Sequence, residues 1–223
     1  MDILEAMNIR HSVRSYTDKK IDEDTKSELQ KVIDECNVEG NMHIQLCTDE
    51  PKAFGGLMAS YGKFKNVKNY IAIIGKKGKD LEEKCGYYGE KVLLKAVQLG
   101  LNTCWVALTY SKSKTLCYID KGEKLCCVIA IGYGETSGVS RKTKSIEELC
   151  NVHGEMPQWF KRGMEAAQLA PTAMNQQKFL ITLNGNLVGA KALSGFYTKL
   201  DLGIVKYHFE IAAGSSGWKW DIE

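Results

Sequence analysis

The sequence predicts an α+β protein, with strands central and helices around them. Three observations carry that expectation. Segments of helical periodicity alternate with short apolar runs along the 223 residues. Two of the runs, NYIAIIG at 69–75 and LCCVIAIGYG at 125–134, are almost unbroken, as strands buried on both faces must be. Apolar residues make up 44% of the chain and charged residues 26%, enough for the core of one globular domain or of two small packed halves.

The elements follow in order. Residues 2–9 read as a short helix. Asp22, Glu23 and Asp24 open a second helix, their negative charges placed where the backbone dipole favours them. Leu29, Val32, Ile33 and Cys36 then recur at helical spacing and form one apolar face. MHIQLCT at 42–48 alternates and predicts a strand, followed by the buried strand 69–75. Residues 80–101 read as a long helix with Leu93, Ala96, Val97 and Gly100 on one side. NTCWVAL at 102–108 is a strand, and 125–134 the second buried one. Residues 157–169 form an amphipathic helix, with Pro157 tolerated in its first turn. KFLITLN at 178–184 is a strand ending in a turn at 184–186. The helix 202–213 stops at Gly214.

Composition narrows the function classes. A net charge of +3 gives no argument for nucleic acid or membrane. No run of about 18 apolar residues is present, so no spanning helix is expected. The opening MDILEAMNIRH lacks the layout of a signal peptide, and a cytoplasmic protein is expected. The eight cysteines, at 36, 47, 85, 104, 117, 126, 127 and 150, contain no C-x-x-C pair. Only His153 stands near one of them, Cys150. The expectation is no metal site and free, structural thiols. His43, His153 and His208 are isolated and read as structural.

Four stretches carry candidate chemistry. Only four of the thirty basic residues are arginine, and two of them flank RHSVR as Arg10 and Arg14. Two forked guanidiniums with the Ser12 hydroxyl and the His11 ring match the oxygens and charge of a phosphate, which lysine meets in charge but not in bidentate geometry. Surface pairing of these arginines with Asp2, Glu5 or Asp18 is the plainer alternative. In LAPTAMNQQKF at 169–179, Pro171 ends a helix, and Thr172, Asn175, Gln176 and Gln177 offer hydroxyl and amide groups. That set suits a ring bearing carbonyls and N–H groups, or a turn that caps its own backbone. In QLGLNTCWVAL at 98–108 a helix closes at Gly100 and a strand leaves with Trp105. Backbone near a ligand and plain core packing of Trp105 both fit. After the glycines of 131–138 come Arg141, Lys142 and Lys144, a phosphate contact or a solvated loop. A weak repeat also lays 32–46 over 166–180, which brings Asn41 onto Asn175.

Taken together the stretches resemble the FMN-dependent nitroreductase family. RHSVRSY at 10–16 resembles its opening signature and APTAMNQQK at 170–178 its proline–amide loop. GLNTCW at 100–105 is similar to its central GLGTCW segment, and AIGYGE at 130–135 to its strand ending in G-Y-P. The departures are Thr172 for Ser, Lys178 for Pro and Gly134 for the Pro of G-Y-P. In most members the proline–amide loop follows soon after the arginine motif, and the flavin lies between two subunits. Here it comes at 170. This resembles the branch in which one chain contains two similar halves that imitate the dimer.

The resemblance implies a nitroreductase-like fold with a mostly antiparallel central sheet flanked by helices. Residues 1–150 would form the first half, and 151–223 a second half completing the flavin site within one compact unit. It implies FMN bound by Arg10, His11, Ser12 and Arg14, by the backbone of Trp105, Val106, Ala107 and Leu108, by Arg141, and by Pro171, Thr172, Asn175 and Gln177. No side chain is expected as acid or base. NAD(P)H would supply hydride, and a nitroaromatic, quinone or similar small acceptor would take the electrons, with the protein a monomer or homodimer. The alternatives are a non-catalytic flavin-binding module, a flavin-dependent dehalogenase or desaturase, and a phosphate- or nucleic-acid-binding protein without flavin.

Overall fold

The computed structural model describes residues 1–152, 155–215 and 217–221; the reading of His153 falls outside them. The chain divides into two compact units, Met1–Leu81 with Lys91–Ser140, and Glu82–Glu90 with Arg141–Glu223.

In the first unit, α1 (Ile3–Ile9) leads through an extended segment to α2 (Glu23–Gly40). The acidic run does what its position requires: Asp22 is the N-cap, and its carboxylate accepts the Thr25 N–H at 2.8 Å. The helix ends on Asn41 in the left-handed conformation, φ 49°. Strands β1 (Gln45–Cys47), β2 (Asn69–Lys76), β3 (Asn102–Val106) and β4 (Glu123–Gly132) form one antiparallel sheet in the order β1-β2-β4-β3. The two unbroken apolar runs, β2 and β4, are its central pair. Ala72 lies opposite Val128 and Ile71 opposite Ile129, and a bulge falls at Ile73/Ile74. Tyr70, Val128 and Ala130 meet Phe54, Tyr110 and Val13 in the core on one side of the sheet. A short helix the periodicity did not show, α3 (Leu57–Tyr61), precedes β2.

The helix α4 (Leu81–Gln98) gives its first half, Glu82–Glu90, to the second unit. There Gly86 lies against α7 (Thr198–Ala213), and Gly203 of α7 lies against Glu83 and Tyr87. A β-carbon on either glycine would fall 1.9 Å from a carbonyl oxygen of the other helix. Only glycine allows backbones this near. The buried Glu90 and His208 join across the same crossing at 2.9 Å. Helix α5 (Ile146–Leu149) starts in a capping box of Ser145 and Glu148, and α6 (Gln158–Leu169) packs its Gly163 on the Phe209 ring of α7.

The sheet of this unit runs β5 (Cys150–Asn151), β6 (Phe179–Asn184), β7 (Leu187–Ala192), β8 (Lys219–Trp220). Its centre is the antiparallel β6–β7 hairpin, turned at Gly185 (φ 59°), with both outer pairs parallel. Trp159, Phe160, Phe209, Trp218 and Trp220 form one aromatic cluster, with Trp159 and Trp218 stacked at 5.8 Å. The expected α+β architecture, antiparallel sheet flanked by helices, is therefore observed, and the sheet of the second unit is mixed. No helix among the described residues is long and apolar enough to cross a membrane. The eight cysteines are free thiols.

Candidate functional site

RHSVR begins where α1 ends. Arg10 is the C-cap, its N–H donating to the Ala6 carbonyl at 3.0 Å, and the chain then runs extended rather than helical. Ser12 pairs in parallel with Thr103 of β3, and Val13 N–H donates to the Thr103 carbonyl at 3.0 Å. On the other side, the Lys65 N–H donates to the Arg14 carbonyl at 2.9 Å and the Tyr16 N–H to the Lys65 carbonyl at 3.1 Å. The segment is thus a short strand held on both edges. Along it Arg10 is buried while Ser12 and Arg14 are exposed.

Burial pushes the Cys104 thiol up, while Arg14, a hydrogen bond with Ser12, and Arg10 all pull it down, so the three act on one point. Tyr16 is likewise pushed well up, first by burial and then by Cys104, and Arg14 opposes the rise. The Tyr16 hydroxyl donates to the Val13 carbonyl at 2.7 Å and fixes the far end of the segment.

Arg10 is 6% exposed, whereas Arg14 is exposed and lies over the Phe64 ring at 5.8 Å. Asp2 caps α1 by accepting the Glu5 N–H, and Asp18 pairs with Lys68 at 2.6 Å. Arg10, His11, Asn102 and Thr103 form the polar wall of a cavity of about 100 Å³. Thr103 is 1% exposed, and its Oγ1 has no hydrogen-bond partner among the described residues. Such a buried hydroxyl costs stability unless something completes it. Trp105 and Val106 are the last residues of β3, and Leu108 beyond them is exposed.

The proline–amide loop belongs to the second unit. Three of its non-glycine residues are left-handed: Met174 (φ 52°), Asn175 (φ 54°) and Gln177 (φ 47°). Met174 is 93% exposed and Asn175 is exposed, while Gln177 is turned inward at 5%. Both ends of its carboxamide are held internally: Oε1 accepts the Lys144 N–H at 2.8 Å, and Nε2 donates to the Lys142 carbonyl at 3.1 Å. Its own N–H donates to Thr172 Oγ1 at 3.1 Å. Arg141 directs Nη2 to the carbonyls of Gln168 (3.1 Å) and Ala170 (2.8 Å), where it clamps the C-terminal end of α6.

Residues 2–213 match a family profile described as "Putative TM nitroreductase". The chain belongs to this nitroreductase family. Solved structures agree in fold. A "putative nitroreductase" from Thermotoga maritima is 22% identical, with a TM-score of 0.66 over 94% of this chain and 82% of that one. A second, from Desulfovibrio desulfuricans and described as in complex with FMN, is 19% identical, with a TM-score of 0.55 over 70% and 99%. A "nitroreductase family protein" from Streptococcus pneumoniae is 13% identical, with a TM-score of 0.51 over 66% and 98%. A comparison with curated proteins finds no match.

Two residues of interest in this nitroreductase-family chain went unmarked in the sequence. Thr103 reads as an ordinary strand residue; its pairing with Ser12 joins positions 12 and 103. Asp201 stands just before the expected helix 202–213, and the structure places it in the first turn of α7. The signal was there, since a lone acid amid LDLGIV needs a partner to be buried.

Proposed function

We propose that the chain is an FMN-dependent oxidoreductase that takes reducing equivalents from NAD(P)H and passes them to a small nitroaromatic or quinone-like acceptor. The observation that carries this reading is that Arg10 and the buried Thr103, whose hydroxyl has no partner among the described residues, wall one cavity, while Arg10, Ser12 and Arg14 all act on the neighbouring Cys104. That donor set fits the terminal phosphate of FMN: two guanidiniums supply charge and forked N–H groups, and hydroxyls supply single bonds. Bound FMN would supply the redox chemistry itself.

The chain's own residues would bind and orient. Arg10, already desolvated, is preorganised and loses little side-chain freedom when an anion arrives. Arg14, with its guanidinium over Phe64, would supply the second positive charge at the phosphate. The backbone after Trp105 would meet the polar edge of the ring. The loop Pro171–Gln177 is a flavin-ring candidate on its signature alone; the Asn175 amide donates to the Lys142 carbonyl at 2.9 Å, and Gln177 is internal support.

The test is anaerobic mixing of FMN-loaded protein with NADH and separately with NADPH. The expected result is loss of the oxidised flavin absorbance with at least one of them. Unchanged absorbance with both would contradict an oxidoreductase.

A further inference from the structure

We propose that Asp201 is the positioning residue of the proline–amide loop: its two carboxylate oxygens hold Ala173 and Gln176, and with them the left-handed turn of Met174 and Asn175. The proposal rests on the reading that this loop contacts the flavin. Asp201 stands in the first turn of α7 and is 3% exposed. Oδ1 accepts the Ala173 N–H at 2.9 Å, and Oδ2 accepts Nε2 of Gln176 at 3.0 Å.

The same Nε2 donates to the Phe196 carbonyl at 2.5 Å, which fixes the orientation of the carboxamide. Flipped, its oxygen would face a carbonyl and a carboxylate. Gly195 closes the other side, since a β-carbon there would lie 2.5 Å from Gln176 Oε1. Between the two anchors, Ala173 and Gln176, stand the left-handed Met174 and Asn175, a backbone that persists only when its surroundings over-determine it.

The chemistry explains why an acid is used. Both facing groups are donors, and neither titrates. A carboxylate accepts on both oxygens, whereas asparagine accepts on one and would set its NH2 against that of Gln176. Burial pushes the Asp201 carboxyl up to about 6, with the Ala173 and Gln176 donors pulling back. The latch is therefore charged at neutral pH and loses an acceptor when protonated.

The test is Asp201→Asn in the full chain. FMN affinity at pH 7.5 should fall about tenfold. The amides of 173–177 should exchange with deuterium faster than in the wild type, with the rest of the unit unchanged. The flavin phosphate itself titrates near pH 6, so the pH arm is read without FMN. Loop protection in the wild type should drop as pH falls through 6, and the variant should show no such step. Gln176→Met, which removes one anchor at a partly exposed position, should give a smaller loss and keeps the test open if Asp201→Asn misfolds. Wild-type loop exchange and pH profile in Asp201→Asn would overturn the latch. Faster loop exchange with undiminished FMN affinity would overturn its link to the cofactor. A wild type that binds no FMN would instead remove the flavin reading on which the proposal stands.

Discussion

Gly203→Ala sets two physical effects against each other. Alanine is the better helix former, by about 1 kcal/mol in a helix interior. Yet its β-carbon would lie 1.9 Å from the Glu83 carbonyl oxygen and 2.7 Å from the Tyr87 nitrogen, both backbone atoms that cannot swing aside. An ordinary carbon–oxygen contact is roughly 3.3 Å, so the helices must part by about 1 Å or more. Overpacking of this kind costs about 1–3 kcal/mol. The parting also stretches the buried His208–Glu90 contact of 2.9 Å, and a bond to a charged group contributes about 1.5–3 kcal/mol. Packing wins, and the expected net loss is about 2–4 kcal/mol. Urea unfolding followed by tryptophan fluorescence measures it, because Trp159, Trp218 and Trp220 all lie in the unit that contains the crossing. Gly56→Ala is the control: nothing lies within 4 Å of the added carbon, and since Gly56 is the N-cap of α3 the loss should stay at about 1 kcal/mol or less. A Gly203→Ala protein as stable as the wild type, or more so, would refute the close crossing.

Two other outcomes are expected. The Asp201 carboxyl, at about 6 in the folded protein, sits above its ordinary value of 3.8, so the folded state holds that proton more tightly than the unfolded chain. Its contribution to stability is greatest below about pH 4 and falls by about 3 kcal/mol as pH rises to about 6; Asp201→Asn should flatten that part of a stability–pH curve, and an unchanged slope would contradict the burial. Burial pushes Cys36 and Cys47 up to about 12, so both should resist alkylation at pH 8 in the native protein while the partly exposed Cys126 reacts; mass spectrometry showing early modification of Cys36 or Cys47 would count against the core packing.

How much was legible in the sequence depended on whether the signal was local. NYIAIIG and LCCVIAIGYG announced the central pair of the first sheet because burial on both faces leaves no polar residue to interrupt them. Asp22 announced α2 because capping is decided within three residues. Strand β7 went unread: Leu187–Ala192 buries only Val188 fully, and it contains Gly189, kept small because a β-carbon would strike Thr182 Oγ1 at 2.4 Å. Helix α3 went unread because Leu57 and Tyr61 face solvent and leave no periodic face. At the candidate site, the residue types of RHSVR suggest an anion, but the extended backbone pinned to Thr103 and Lys65 is not encoded by spacing. Gln177 and Asn175 look alike in sequence. Both donate to the Lys142 carbonyl, and only Gln177 also accepts the Lys144 N–H and is buried; these partners lie more than thirty residues away.

The central claim is that guanidiniums of the first segment hold the phosphate of a flavin. Titration of the protein with FMN and with riboflavin, which lacks that phosphate, tests it most directly. Two or more charge-assisted bonds at about 1.5 kcal/mol each amount to roughly a hundredfold preference for FMN. Arg10→Ala combined with Arg14→Ala should bring the two affinities close together. Equal binding of FMN and riboflavin by the wild type, or a preference that survives the double substitution, would contradict the account.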